Sequence, residues 1–530
     1  MIKSILFPIV FFLVSNFNTF SQKAPVNWYL KHPKKDKVYG VGAEEAYKLL
    51  NGRTPKEVIV AVIDSGVETD HPDLKESIWV NTNEIPENGI DDDKNGYVDD
   101  IHGWSFIGGP GGDIDGEAME IARMYQKENK YFLGKDISSI QESDKARYEK
   151  FLQIKKDYNK EQGQLLAQYQ GIELAVKYIA NVKKQQGEFS RNANKNYQTS
   201  DDKELKIKKG LKTALIFYSA RNLEKQIEEA DNQIGGIIRN NLLNVDSVRM
   251  LMVGDNPDNL EEKYYGCNRY EGPDAMHGTH VSGIIAAKNN NGIGIDGIAK
   301  NAKIMVLRAV PNGDERDKDI ANAIYYAVDN GAKIINMSFG KYYTPSKEIL
   351  DKAIIYAKSK DVLFVHAAGN DAKNKNIEDS YPTRAGISSD GSFATNWLEV
   401  GASSVSKKGK KLVADFSNYG SKTVDLFAPG VDIYSTVPDS KYEDASGTSM
   451  ASPAAAGVAA IIRGYFPELS AEEVRNVLMK TVSKTNKNIR IPGMTGNKAK
   501  GKMSDLSISS GFINAERAVR FLLDNPSKKQ

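Results

Sequence analysis

Three short strings in this chain carry the residue types needed for acyl transfer through a serine. Ala61-Val62-Ile63-Asp64-Ser65-Gly66 ends an apolar run in an aspartate. His277-Gly278-Thr279-His280-Val281-Ser282-Gly283 and Gly447-Thr448-Ser449-Met450-Ala451-Ser452-Pro453 each open a segment of small, helix-compatible residues. A serine hydroxyl is a poor nucleophile until a neighbouring imidazole removes its proton. A carboxylate on the other ring nitrogen holds the imidazole in the tautomer able to do so. A serine at a helix N-terminus also has free backbone N–H groups and the positive end of the helix dipole beside a developing oxyanion. Each string has a plainer reading too, since an aspartate at a strand end is commonly a turn residue and a serine before a helix an N-cap. The ordered set of all three is what points to chemistry. Pro453 is expected in the first turn of the serine's helix, where its missing N–H matters little.

A second group of residues suits a cation. Asp91-Asp92-Asp93-Lys94-Asn95-Gly96-Tyr97-Val98-Asp99-Asp100 places oxygen ligands at alternate positions with glycine sixth. A calcium loop of the EF-hand kind begins this way, and its seventh residue offers a carbonyl. Asp91, Asp93, Asn95 and Tyr97 are therefore candidate ligands. His102 stands where a bidentate glutamate would close the shell, so Asp99 or Asp100 must do it. An acidic surface turn is the alternative, but so many carboxylates repel one another unless a cation neutralises them. Structural Ca²⁺ is the expectation.

The elements that must position these groups fall into two kinds. Residues 58–63, 304–307, 334–337, 362–365 and 424–427 are near-continuous aliphatic runs, as in strands buried on both faces of a parallel sheet. Helix-length segments such as 319–329 and 346–358 lie between them, which implies an α/β fold with a doubly wound, mostly parallel sheet flanked by helices. Residues 112–262 are instead rich in Lys, Glu, Gln and Asn. Their apolar residues recur at helical intervals, in one stripe through Leu165, Tyr169, Ile172, Ala175 and Ile179 and another through Leu211, Leu215, Tyr218, Leu223, Ile227, Ala230, Ile234 and Ile238. A mainly helical insertion is expected, with residues 187–202 as a polar, mobile connection. The division is then a signal peptide at 1–21, the catalytic domain at 22–111 and 263–522, the insertion at 112–262 and a tail at 523–530.

Bulk properties add limits. A net charge of +2 and a charged fraction of 26% give no argument for nucleic acid as a partner. Cys267 is the single cysteine, which rules out an internal disulfide and reads as a partly buried thiol. Met1-Ile2-Lys3, an apolar run at 5–14 and Thr19-Phe20-Ser21 read as a cleaved secretion signal, with the mature chain starting near Gln22 and a secreted or periplasmic location. The apolar run falls short of the roughly 20 residues a spanning helix needs, so no integral membrane segment is expected in the mature chain.

The chain order and the residues around each string resemble the subtilisin-like serine proteases over residues 36–103 and 271–522, with the helical block inserted between Asp64 and His277. The resemblance implies that Asp64 orients the imidazole, His277 is the general base, His280 is structural and Ser449 is the nucleophile. It implies that Asn370, in Ala367-Ala368-Gly369-Asn370, joins the Ser449 N–H in binding the oxyanion. Ser338, Phe339 and Gly340 would pair with an extended substrate, with Gly313 on the opposite rim. Ala367, Ala368, Gly369 and residues 377–382 would line the primary specificity pocket, where Glu378 and Asp379 point in or out. Asp314 and Asp317 make the rim acidic and would favour basic residues before the cut. Asp73 and Asn290 resemble ligands of a second calcium site, although the loop after Ala287 is one residue longer than is common. The stretch between Ser21 and Asp64 is too short for the family's folding prodomain. The helical block is open to reading as a lid, a folding aid, a docking surface or solvated decoration. A secreted endopeptidase acting on protein or peptide substrates follows. The rival is a catalytically idle binding module using the insertion as its arm, which predicts a lost catalytic group, yet all four are present.

Overall fold

The computed structural model describes residues 24–526 apart from 136–139, 216–218, 244, 385, 387–393 and 407. The expected signal segment, Tyr218 and the last residues of the tail lie outside the described residues. The chain divides into two compact units. One comprises Gln22–Asp115, Asp246–Pro311 and Glu315–Gln530, and the other is built from Gly116–Val245 and Asn312–Asp314.

The larger unit is organised on seven parallel strands: β1 (Val58–Asp64), β2 (Gly103–Ser105), β3 (Ala302–Arg308), β4 (Ile334–Met337), β5 (Leu363–Ala367), β6 (Trp397–Ser403) and β7 (Leu426–Pro429). Their order across the sheet is β2-β3-β1-β4-β5-β6-β7. A hairpin of β8 (Ile433–Val437) and β9 (Lys441–Ala445) follows. Alternate residues of each strand enter separate cores, because successive side chains of a strand point to opposite faces. Val58, Val60, Val62, Val306, Val365 and Val400 pack on one face, and Ala61, Ile63, Leu307, Met337, Phe364 and Trp397 on the other. Each fully buried aliphatic side chain contributes about 1.5–3 kcal/mol. This two-sided burial is why β1, β3, β4 and β5 read as unbroken apolar runs. Strand β6 escapes that pattern because buried Glu399 and Gly401 interrupt it, and β2 is too short to show one.

The helices, in chain order, are α1 (Ala43–Leu49), α2 (Glu120–Phe132), α3 (Lys145–Gln186), α4 (Asp202–Ala214), α5 (Ala220–Leu242), α6 (Val245–Met252), α7 (Met276–Ala286), α8 (Asp317–Asp329), α9 (Lys347–Ser359), α10 (Thr448–Tyr465), α11 (Ala471–Lys480) and α12 (Ala515–Asp524). Helices α7 and α10 consist largely of small residues and lie buried on the Val60–Val62 face of the sheet. Helices α8 and α9 pack together on the opposite face. Asp64 shares the parity of Val60 and Val62, so it emerges on the face that carries α7 and α10.

The smaller unit has a core of its own, formed by Ile172, Tyr178, Val182, Leu211, Leu223, Ile227, Ile234 and Ile238. The second apolar stripe is split between α4 and α5, whose starts are capped by the Asp201 and Ser219 side chains. Residues 187–202 differ from the polar connection expected of them. They hold a short helix, Arg191–Asn196, capped by Ser190, and bury Phe189, Ala193 and Tyr197 in the same core. Residues 246–262, assigned by sequence to the insertion, belong to the larger unit. There the fully buried Arg249 binds Asp255 (2.8 Å) and Asp319 (2.7 Å). Among the described residues no helix is long and apolar enough to cross a membrane.

Candidate active site

Strand β1 delivers Asp64 at its C-terminal end, where its carboxylate Oδ1 accepts from Ser65 N at 2.8 Å. Helix α7 brings His277 to the same oxygen, with Nδ1 and Asp64 Oδ1 2.7 Å apart. A carboxylate accepts only, so Nδ1 carries the proton and Nε2 is left as the basic nitrogen. The approach depends on Gly278, whose Cβ, if present, would stand 2.1 Å from the Gly66 carbonyl oxygen. Burial pulls the His277 imidazolium down, but the Asp64 carboxylate outweighs it by charge and hydrogen bond, so His277 titrates above the ordinary histidine value of 6.5. His280 serves a different end. It is fully buried, and its Nε2 lies 3.0 and 3.1 Å from the Ile433 and Glu443 carbonyls, tying α7 to the β8–β9 hairpin. Burial first, and the nearby His277 charge second, push it down to about 4, so the ring is neutral.

Ser449 stands in the first turn of α10. Its Oγ donates to the Ser338 carbonyl at 3.0 Å. Pro453 sits a turn further in than its sequence position suggested, so the Ser449 carbonyl is the one that loses its helical donor. Ser338 Oγ supplies the substitute at 2.9 Å, and is itself held by Asn336 Nδ2 at 3.0 Å. Asn370 Oδ1 accepts from Thr448 N (2.8 Å) and Thr448 Oγ1 (2.9 Å). That fixes the amide with its N–H₂ turned the other way. A Cβ built on Gly447 would lie 3.5 Å from Asn370 Nδ2 and 3.5 Å from Ser449 N. Two donors thus converge on one spot beside the serine. The turn carrying Asn370 is braced by Asn418, which accepts from Asp371 N and Lys373 N and donates to the Ala368 carbonyl at 2.9 Å. Gly369 is forced to φ +102 there, with no room for a Cβ against Asn418. The bracing by Thr448 and Asn418 carried no signal in the sequence, because it joins segments that are close only in the fold.

Ser338, Phe339 and Gly340 continue β4, and Ala367, Ala368 and Gly369 run from the end of neighbouring β5. Lys341 and Tyr381 exchange backbone hydrogen bonds of 2.9 and 2.8 Å, bringing residues 377–382 beside that strand. Glu378 and Asp379 are exposed. Gly313 lies in the smaller unit at φ +120, pressed against the Glu117 carbonyl. Asp314, in the same unit, accepts from Glu120 N at 2.7 Å. The acidic rim expected from Asp314 and Asp317 fails at Asp317, which is buried, bound to Lys341 at 2.8 Å and engaged by Thr344 Oγ1 and Ser346 N.

In the acidic loop, ligand-capable oxygens of Glu84, Asp93 and Asp100 all lie within 4.8 Å of one another. Amide protons of Asn81 and Asn95 cross-link Asp93 and Asp100 at 2.8–3.2 Å. Burial pushes Asp100 up to about 6 despite its hydrogen bonds from Tyr326, Asn95 and Asn81. Such a set fits a hard cation that takes carboxylate oxygens. Asp91 and Asp99 also accept backbone hydrogen bonds. Asp91 accepts from Asn95 N and Gly96 N, and Asp99 from Asn88 N and Gly89 N. Asn95 Oδ1 accepts from Tyr97 N, and the Tyr97 ring is packed among Trp104, Phe106 and Tyr326. Glu84, which the sequence reading did not name, precedes the acidic run. At the second expected site Asp73 is fully buried and meets Asn291 Nδ2 at 2.6 Å, whereas Asn290 pairs through its backbone with Asp296.

The Subtilase family profile matches residues 55–501. The chain is 41% identical over 211 residues to the Thermophilic serine proteinase of Bacillus sp. (strain AK1), an alignment covering 39% of this chain and 47% of that protein. It is 37% identical over 246 residues to Thermitase of Thermoactinomyces vulgaris, covering 46% of this chain and 75% of that protein. It is 34% identical over 274 residues to the Cell wall-associated protease of Bacillus subtilis (strain 168), covering 51% of this chain and 28% of that protein. The chain therefore spans about half the length of the first relative and little over a quarter of the last. With the family profile matching most of its length, this chain belongs to the subtilase family.

Proposed function

We propose that this subtilase is a secreted serine endopeptidase that cuts protein or peptide chains through an acyl-enzyme on Ser449. The observation that carries the reading is the approach of Ser449 N and Asn370 Nδ2 to one point beside Gly447, in a chain whose His277 Nδ1 pairs with Asp64 Oδ1. An extended substrate pairs along Ser338–Gly340, and its N–H takes the Ser338 carbonyl that now holds the Ser449 hydroxyl. The freed hydroxyl turns to His277 Nε2, which accepts its proton as Oγ bonds to the scissile carbonyl carbon. Asp64 stabilises the imidazolium, and the two donors receive the oxyanion. His277 then protonates the leaving amine as the C–N bond breaks, and water repeats the sequence to release the acid. Digestion of an unfolded protein should be lost in Ser449→Ala and fall by about 10²–10³ in Asn370→Ala. A folded wild-type protein that digests nothing would refute the activity.

A structural Ca²⁺ belongs to the same reading. Glu84, Asp93 and Asp100 would hold it, and it would supply charge neutralisation and a cross-link in a chain without disulfides. Relatives named as proteases, one of them cell wall-associated, and the character of residues 1–21 support export. Residues 116–245 are read as a separately folded insertion.

A further inference from the structure

A buried polar cluster behind the substrate strand has no part in the mechanism above. His366, on β5 and fully buried, reaches the Phe339 carbonyl with Nε2 and Glu399 Oε2 with Nδ1, each at 2.9 Å. Glu399 also accepts from Trp397 Nε1 at 2.8 Å and from Lys375 Nζ. Lys375 Nζ donates in addition to Ser380 Oγ at 2.7 Å. A Cβ on Gly340 would lie 3.7 Å from His366 Nε2 and 3.2 Å from the Tyr381 carbonyl. The cluster therefore lies directly behind Gly340, with Ser380 next to Tyr381.

The inventory of donors and acceptors decides what such a floor can hold. Glu399 is fully engaged. Burial opposes its charge, but Lys375 and His366 outweigh burial and hold the carboxyl well below the usual range. Both His366 nitrogens face acceptors. The cluster sets the Lys375 cation against the Glu399 carboxylate. Among the described residues, what remains uncommitted is the Ser380 O–H and one N–H of Lys375, both donors. Both residues are buried. Glu378 and Asp379 are exposed, with Glu378 paired to Lys373 at 3.1 Å, so neither neutralises the floor.

We propose that Ser380 and Lys375 form the floor of the primary specificity pocket and select a side chain ending in a hydrogen-bond acceptor, glutamate ahead of glutamine, at the residue before the cut. This rests on the proteolytic reading for its use but not for its binding. The test uses four peptides differing only in Glu, Gln, Leu or Lys at that residue. They are titrated by calorimetry into full-length Ser449→Ala protein and, separately, offered to the wild type as substrates. The Glu peptide should bind Ser449→Ala at least about ten-fold more tightly than the Leu peptide, with the Lys peptide weakest. Ser380→Ala, which removes no charge, should shrink that margin. Lys375→Met with Glu399→Gln, which removes the buried ion pair together, should abolish it. Equal binding of the four, or a margin unchanged in both variants, overturns the proposal. A Lys375-dependent Glu preference in a protein that hydrolyses nothing supports the pocket and refutes the proteolysis.

Discussion

At the scale of single residues, Gly447 is required by what stands on either side of it. Its backbone is extended, with φ 171, so alanine fits the local conformation and leaves the fold intact. The added methyl would occupy the spot where Asn370 Nδ2 and Ser449 N converge. Gly447→Ala should therefore lower kcat by about 10²–10³ with little change in Tm or KM. Unchanged kcat would mean that the oxyanion forms elsewhere. His277 gives a second prediction. Its base form must be neutral, and the Asp64 carboxylate raises its pKa. The acid limb of kcat/KM against pH should then have its midpoint above 6.5, and a midpoint below 6.5 would contradict the pairing. The same shift makes the protonated pair stabilising below the unfolded histidine value, a contribution lost as pH rises through the folded value. The candidate residues were legible because Ser449, His277, Asp64 and Asn370 each sit in a local string. Their supports were not legible, since Thr448 acts on Asn370 across 78 positions of sequence and Asn418 braces its turn across 45–50.

At the scale of elements, the strand-helix alternation was readable wherever both faces of a strand are apolar. It disappeared at β6, where Glu399 and Trp397 are buried together with a charge network rather than in a purely apolar core. Pro453 shows the opposite case, since a visible residue was given the wrong turn of its helix and its consequence, the Ser338 bond to the Ser449 carbonyl, exists only in the fold. His280 makes a testable element of α7. It stays neutral down to about 4, whereas an unfolded histidine protonates near 6.5. The unfolded state binds the extra proton between those values, so stability should fall as pH drops through that window. At 1.36 kcal/mol per unit over about 2.5 units, the loss is about 3 kcal/mol. Urea unfolding at pH 7 and pH 4.5 should show this difference in the wild type and a smaller one in His280→Gln. Equal slopes would mean that another group carries the acid sensitivity.

At the scale of the whole molecule, stability should depend on the cation and activity on the larger unit. Chelation should speed thermal inactivation, and Glu84→Gln with Asp93→Asn should reproduce that rate without chelator. An unchanged rate would count against a bound Ca²⁺. Replacing residues 116–245 by a short linker should leave a folded protein, because both cores and all four catalytic groups of the larger unit lie outside that range. Extending the cut to residue 262 would remove Arg249 and strand the buried Asp319, a loss of about 3–5 kcal/mol. That distinction was hidden from composition, since residues 246–262 look like the polar block before them. The most direct test of the account is a fluorophosphonate probe followed by mass mapping of the labelled peptide. The account predicts stoichiometric labelling at Ser449, strongly reduced in His277→Ala. Folded protein that takes no label at Ser449, or takes it at another serine, would contradict it.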